Sequence, residues 1–150
     1  MDKTPIIDKL NDCLRHEWTG VAQYAQAGFV VTGLLREVYS GMFFDSAKES
    51  FGHAKLVGEK IAALGGVPTV ERNPVKQSQD LGEMLNMALE FESKAVKMYT
   101  EALAIAEGDR ALVVFLEDIL KEEQEGVDHL TRILKDQKTV SLSGAAAKAG

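Results

Sequence analysis

The stretch KESFGHAKL, Lys48 to Leu56, sets a carboxylate, Glu49, four residues ahead of an imidazole, His53. Carboxylate oxygens and imidazole nitrogens are donors that divalent first-row metals take from proteins. Three further acids, Glu17, Glu92 and Glu123, stand in other segments whose apolar residues recur at helical spacing. The chemistry to test is a cation held between helices. It requires these side chains to point inward.

Giving each residue about 100° of helical rotation sets each side chain relative to the apolar stripe of its segment. In the first segment Ile6, Leu10, Cys13, Leu14, Val21, Tyr24, Gly28 and Val31 share one direction, and Glu17 lies in its middle. In the third, Leu81, Leu85, Ala88, Leu89, Ala95, Val96, Tyr99, Leu103 and Ala106 centre on Glu92, with Glu90 facing the other way. The fourth stripe, Leu112, Leu116, Ile119, Leu120, Val127, Leu130 and Leu134, converges on Glu123, and Glu125 and Asp128 fall on the far side. The second centres on His53, flanked by Tyr39, Met42, Leu56, Val57 and Leu64. Glu49 is about 40° off that axis and Ser50 about 60° off on the other side, so both can face inward.

One acid on an apolar stripe is usually a snorkelling side chain, and a lone core histidine usually needs only a hydrogen-bond partner. Three acids and a histidine at the stripe centres of four helices, all near mid-helix, call for another account. Burying several carboxylates together costs several kcal/mol per charge. They must be protonated, paired with Lys or Arg, or gathered around a cation. Lys60 shares the second stripe but lies nearly two turns beyond His53, too far to serve them all. The balance favours a cation.

The elements that must position these groups follow from punctuation. All three prolines, Pro5, Pro68 and Pro74, lie at the start of the chain or in its middle connection. Thr4 and Pro5 predict an N-cap and first helical position, and the helix should reach about Thr32 and Gly33. A second helix is expected from Leu35 to Leu64, stopped by Gly65 and Gly66. Asp80 with Glu83 predicts a capping box opening a third helix that ends near Glu107 and Gly108. The fourth follows Asp109 and reaches about Gln137. Connections one and three are short, which makes their helices antiparallel neighbours. The middle one, GGVPTVERNPVKQSQD, is different. A helix of about 28 residues is about 42 Å long, and roughly 15 extended residues reach about 50 Å. The loop can therefore cross the bundle and leave helices two and three parallel. The expected fold is all-α, a four-helix bundle with one long crossover over residues 1–137, and a flexible tail over 138–150. A weak internal repeat pairs EWTGVAQY with ESKAVKMY, each with tyrosine seven residues after the central glutamate: Glu17 with Tyr24, Glu92 with Tyr99. A duplicated helix pair and plain heptad packing both account for it.

Composition narrows the partners. The chain has 150 residues, one domain's worth, with 17 Lys and Arg against 23 Asp and Glu and no basic face. Nucleic acid and anionic membrane are poor partners for it. The apolar run around AGFVV and GLL is too short to span a bilayer, and MDKTPIIDKL lacks a signal-peptide core. The single cysteine, Cys13, fits a reducing compartment, so a cytoplasmic location is expected.

At these residues the sequence resembles the ferritin-like superfamily, and within it bacterioferritin, over roughly residues 5 to 135. That family binds a diiron pair through one glutamate from each of two helices and a Glu-x-x-His pair from each of the other two. RHEWTGVAQY is similar to its first-helix motif, which implies Glu17 as a terminal ligand and Tyr24 as the tyrosine beside the site. HAKLVGEKIAALGGVP implies His53 as a terminal ligand, ALEFESKA implies Glu92, and ILKEEQEGVDHL implies Glu123 as a bridging carboxylate. Two positions depart: Ser50 stands where the second-helix glutamate belongs, and Gly126 where the fourth-helix histidine belongs. Glu49 and His129 are the displaced candidates, and a one-residue π-bulge could swing either inward. Phe51 occupies the family's haem-methionine position, so no haem is expected. The resemblance implies mono- or dinuclear iron, or another divalent metal, with Fe(II) and oxygen or peroxide as reactants and a homo-oligomer as the assembly. Alternatives are a metal-dependent oxidoreductase or single-metal binder, and a metal-free helical protein acting through assembly.

Overall fold

In a computed structural model, which describes residues 2–135, four helices follow one another: α1 (Thr4–Val30), α2 (Arg36–Ala63), α3 (Leu81–Ile105) and α4 (Arg110–Leu134). The tail over 138–150 and the expected end of α4 at Gln137 lie outside the described residues.

The helix ends show why the boundaries fall where they do. Thr4 is already helical and Lys3 is the N-cap, one residue earlier than expected; Asp2 Oδ1 accepts from the Thr4 backbone N–H at 2.9 Å. At the other end of α1 the guanidinium of Arg36 donates to the carbonyls of Gly28, Phe29 and Val31, groups that helix geometry leaves without an intrahelical partner, and the Ser40 hydroxyl also donates to Gly28 O. Gly65, at φ 90°, ends α2: its N–H bonds Ala62 and that of Gly66 bonds Ile61, a Schellman closure that a side chain at the left-handed position would strain. Asp80 caps α3 through Glu83 N at 2.9 Å, as expected, but Glu83 does not reach back directly. The Ser78 hydroxyl stands between, accepting from Asp80 N and donating to Glu83 Oε2. Asp109 caps α4 through Leu112 N.

Packing joins α1 to α2, α3 to α4, and α1 to α3. Residue 17 of α1 meets residue 99 of α3, and residue 24 meets residue 92, so these helices run antiparallel. Since α1 and α2 are also antiparallel, α2 and α3 run parallel, the order that the long crossover requires. That crossover lies along α1. Asn11 bonds Val67 O and Thr69 N, Trp18 Nε1 donates to Thr69 O, Thr19 accepts from Asn73 N, and Gln23 accepts from Lys76 N.

Two apolar clusters fill the bundle. One contains Leu10, Leu14, Val57, Ile61, Tyr99 and Leu116; the other contains Tyr24, Phe43, Leu85, Phe91 and Leu130. The polar residues buried near mid-helix separate them. On α2 the buried face is rotated from the expected one: Phe43, Ala47, Ser50, Ala54 and Ile61 join His53 and Val57, and Leu56 is exposed. This helix carries apolar residues all round, so no single stripe defines its inward face.

Candidate metal centre

Glu17, His53, Glu92 and Glu123 each come from a different helix and are 1%, 3%, 8% and 2% exposed. His53 Nδ1 lies 2.8 Å from Glu123 Oε1 and 3.1 Å from Glu17 Oε2. Ligand atoms of Glu17, His53 and Glu123 all lie within 4.8 Å of one another. Glu92 adjoins Glu123, close enough for the two carboxyl groups to influence each other's charge. Among the described residues no Lys or Arg forms an ion pair with these acids. Lys60 instead lies over the Phe115 ring, away from the cluster.

The two tyrosines of the internal repeat cross over. Tyr24 OH donates to Glu92 Oε1 at 2.6 Å, and Tyr99 OH donates to Glu17 Oε2 at 2.9 Å. Each tyrosine thus serves the glutamate of the other helix. The adjacent residues follow the same symmetry: His16 stacks on Phe91 with ring centroids 3.9 Å apart and donates Nε2–H to Phe91 O.

Burial and mutual repulsion govern the charges. Desolvation raises Glu17 and Glu123 above the ordinary carboxylate range, against the lowering effect of their bonds to His53. Burial, then the neighbouring carboxyl and charge of Glu123, push Glu92 up to about 9, although Tyr24 and His53 pull the other way. Burial alone would lower His53; its bonds to Glu123 and Glu17 and their charges outweigh this and raise it to about 12. Without a bound cation, then, the cluster is held together by the His53 imidazolium and by the proton that Glu92 retains. Cys13, pushed up to about 12 by burial and by Glu17, is a buried thiol rather than a nucleophile.

The displaced candidates stand at the edge of this centre, where ligand atoms of Glu49, His53 and Glu122 also lie within 4.8 Å of one another. Glu49 and His129 are exposed at residue level, and α2 and α4 pass through them as unbroken α-helix, without the bulge that would turn them in. Both line a cavity of about 230 Å³ beside the cluster, together with Tyr24, Glu92, Glu122 and Gly126. The Glu92 carboxylate occupies the space next to Gly126: a Cβ built there would stand 3.3 Å from its Cδ. Ser50 is buried against Gly20, where a Cβ would meet Ser50 Oγ at 2.5 Å and Phe91 Cζ at 2.6 Å. Two residues escaped sequence reasoning. Glu122, whose Oε2 lies 2.5 Å from His53 Nε2, falls off the stripe, and only its adjacency to Glu123 hinted at it. His16, 3% exposed, is neighbour to Glu17 but carries no spacing signal.

A four-helix bundle with one long crossover, four helices each lending a carboxylate or imidazole to a buried centre, defines a class. The model of the ferritin-like domain matches residues 7–140, and the chain belongs to that family. It is similar to a structure of ferritin-like diiron-carboxylate proteins from Bacillus anthracis str. Ames, with 33% identity, 89% of this chain and 99% of that one covered, and a TM-score of 0.86. It is also similar to the bacterioferritin-related protein of Bacteroides fragilis, described as a dodecameric thioferritin: 28% identity, 94% and 90% covered, TM-score 0.85. Comparison with curated protein sequences gives no significant match.

Proposed function

We propose that the chain binds Fe(II) through Glu17, His53, Glu92 and Glu123, oxidises it with oxygen or peroxide, and passes the ferric product to storage. The observation that carries this reading is the meeting of Glu17, His53 and Glu123 inside the bundle with, among the described residues, no Lys or Arg paired to them. Anionic oxygens stabilise the higher oxidation state of a bound cation. Iron is the substrate here, the source of the electrons that oxygen or peroxide accepts.

The chain's own groups have separable roles in this reading. Glu17 and His53 are terminal donors, and Glu123, next to both Glu17 and Glu92, is the shared carboxylate. Binding a cation requires His53 to release its Nδ1 proton and Glu92 its carboxyl proton, so uptake releases protons to solvent. Tyr24 orients Glu92 and stays protonated, since burial and the Glu92 charge raise its pKa well above the ordinary value.

The donor set fits one ion better than two. Ser50 offers a hydroxyl packed against α1 and Gly126 offers nothing, so a second ion would depend on the exposed Glu49 and Glu122, whose oxygens lie with a His53 nitrogen within 4.8 Å of one another, and on the exposed His129. That observation favours a second reading, a single-metal binder or ferritin-like oxidoreductase using one iron or another divalent metal. An anaerobic Fe(II) titration followed by oxygen tests the first reading: near-stoichiometric oxidation is expected, and Glu92→Ala should abolish it. Unchanged uptake and oxidation in that variant would refute the assignment. Metal analysis yielding one ion per chain supports the second reading.

The chain is proposed to self-associate. The Bacteroides fragilis relative is described as a dodecamer, and Phe29, Leu34 and Val38 leave an apolar surface exposed around the α1–α2 turn. No helix among the described residues is long and apolar enough to cross a membrane. A cytoplasmic location is proposed from the unpaired Cys13. A native mass equal to one chain would remove the assembly from this proposal.

A further inference from the structure

Glu122 stands on the solvent side of α4, directly before Glu123. Its side chain is 56% exposed, yet its Oε2 lies 2.5 Å from the buried Nε2 of His53. The other ring nitrogen, Nδ1, faces Glu123 and Glu17 at 2.8 and 3.1 Å. A neutral imidazole has one N–H and one lone pair, and the hydrogen bond made by one nitrogen determines what the other can do. We propose that Glu122 is a positioning residue of the centre: by accepting the Nε2 hydrogen it leaves Nδ1 as the nitrogen that releases its proton, so that in the cation-bound protein the Nδ1 lone pair is the one aimed between Glu17 and Glu123. The inference rests on the metal-binding reading above and names the group that aims its one nitrogen ligand.

Two observations single Glu122 out. Glu49 also has an oxygen within 4.8 Å of His53, but makes no hydrogen bond to it among the described residues. An exposed glutamate gives up rotamer freedom to hold such a contact, and that loss must be outweighed by the bond itself. The arrangement is also directional. Carboxylate, imidazole and the two core acids lie in series, so the Glu122 charge strengthens Nδ1 as a donor without meeting the cation.

Zn(II), which undergoes no redox chemistry, is the probe, titrated into the full-length protein and its Glu122→Ala and Glu122→Gln variants. Because the Glu122 side chain is largely in solvent, both should fold. Glu122→Ala should weaken Zn(II) about 10- to 100-fold, with an unchanged number of ions per chain, and Glu122→Gln, which keeps an acceptor, should recover part of the loss. In ¹⁵N-resolved spectra, His53 should keep a slowly exchanging Nε2–H in the wild type and in Glu122→Gln, and lose it in Glu122→Ala. Wild-type affinity in Glu122→Ala would overturn the proposal. So would the loss of a whole ion per chain, which would make Glu122 a direct ligand. Should the wild type bind no Zn(II), the metal-binding reading fails, and the His53 Nε2–H signal in the cation-free proteins alone judges the Glu122 contact: equal exchange with and without the carboxylate overturns it.

Discussion

His16 and His53 are buried in the same interior and respond to opposite electrostatics. His16 has a carbonyl, Phe91 O, as its partner, and burial followed by the Lys94 charge lowers it to about 4. It is neutral when folded, whereas an unfolded chain protonates it near 6.5. Stability is therefore lost as pH falls from about 6.5 towards 4, by about 3 kcal/mol if the full shift is realised. Replacing it with leucine should flatten this acid limb in urea melts across pH. Glu92 and His53 behave in the reverse sense. Both hold protons in the folded state that the unfolded chain releases near 4.5 and 6.5, so the cation-free protein should lose stability as pH rises towards about 9 and beyond. Bound cation should abolish much of that alkaline limb, because it replaces the protons. Tyr24→Phe removes the donor to buried Glu92 and should cost about 1–3 kcal/mol in a thermal or urea melt.

Within the helices, the glycines separate close packing from open surface. Gly20 lets α1 approach α2 and α3: a Cβ there would lie within 3.0 Å of Ser50 and Phe91, and Phe91 cannot swing away while stacked on His16. Gly20→Val should destabilise the fold by about 1–3 kcal/mol and disturb the stack beside Glu17. Gly41 in α2 has nothing within 4 Å of its would-be Cβ, so Gly41→Ala should stabilise by about 0.5–1 kcal/mol. The pair of melts distinguishes crowding from backbone entropy. If Gly20→Val were neutral, the close contact between α1 and α3 would not be the constraint described.

Across the bundle, the centre couples four helices that local packing joins mainly in pairs. A cation bound by the folded protein alone stabilises it by RT ln(1 + [L]/Kd), about 2.7 kcal/mol at a hundredfold excess over Kd. Added divalent metal should raise the wild-type Tm by several degrees and leave the Tm of Glu123→Ala unchanged, because Glu123 touches the donors of α1, α2 and α3. A chelator-insensitive wild-type Tm that also ignores added metal would favour the metal-free assembly reading.

Helix number, order and approximate ends were legible in the sequence because their causes are local: a 3.6-residue period, a capping Asp80 and Asp109, a stop at Gly65, and prolines confined to connections. Glu17, Glu92 and Glu123 could be assigned inward for the same reason, each lying near the centre of an apolar stripe; His53 was also assigned inward, but on a helix whose apolar residues run all round, so that the rest of its buried face was misplaced. A stripe gives a direction on one helix and carries no information about distance or partner. Only the packed bundle decided that Tyr24 bonds Glu92 and Tyr99 bonds Glu17, that His16 lies flat on Phe91, and that Glu122 reaches His53 from outside. It also decided that Glu49 and His129 stay at the rim of a cavity. These outcomes depend on where four backbones stand relative to one another, which is set by the summed packing of all their side chains.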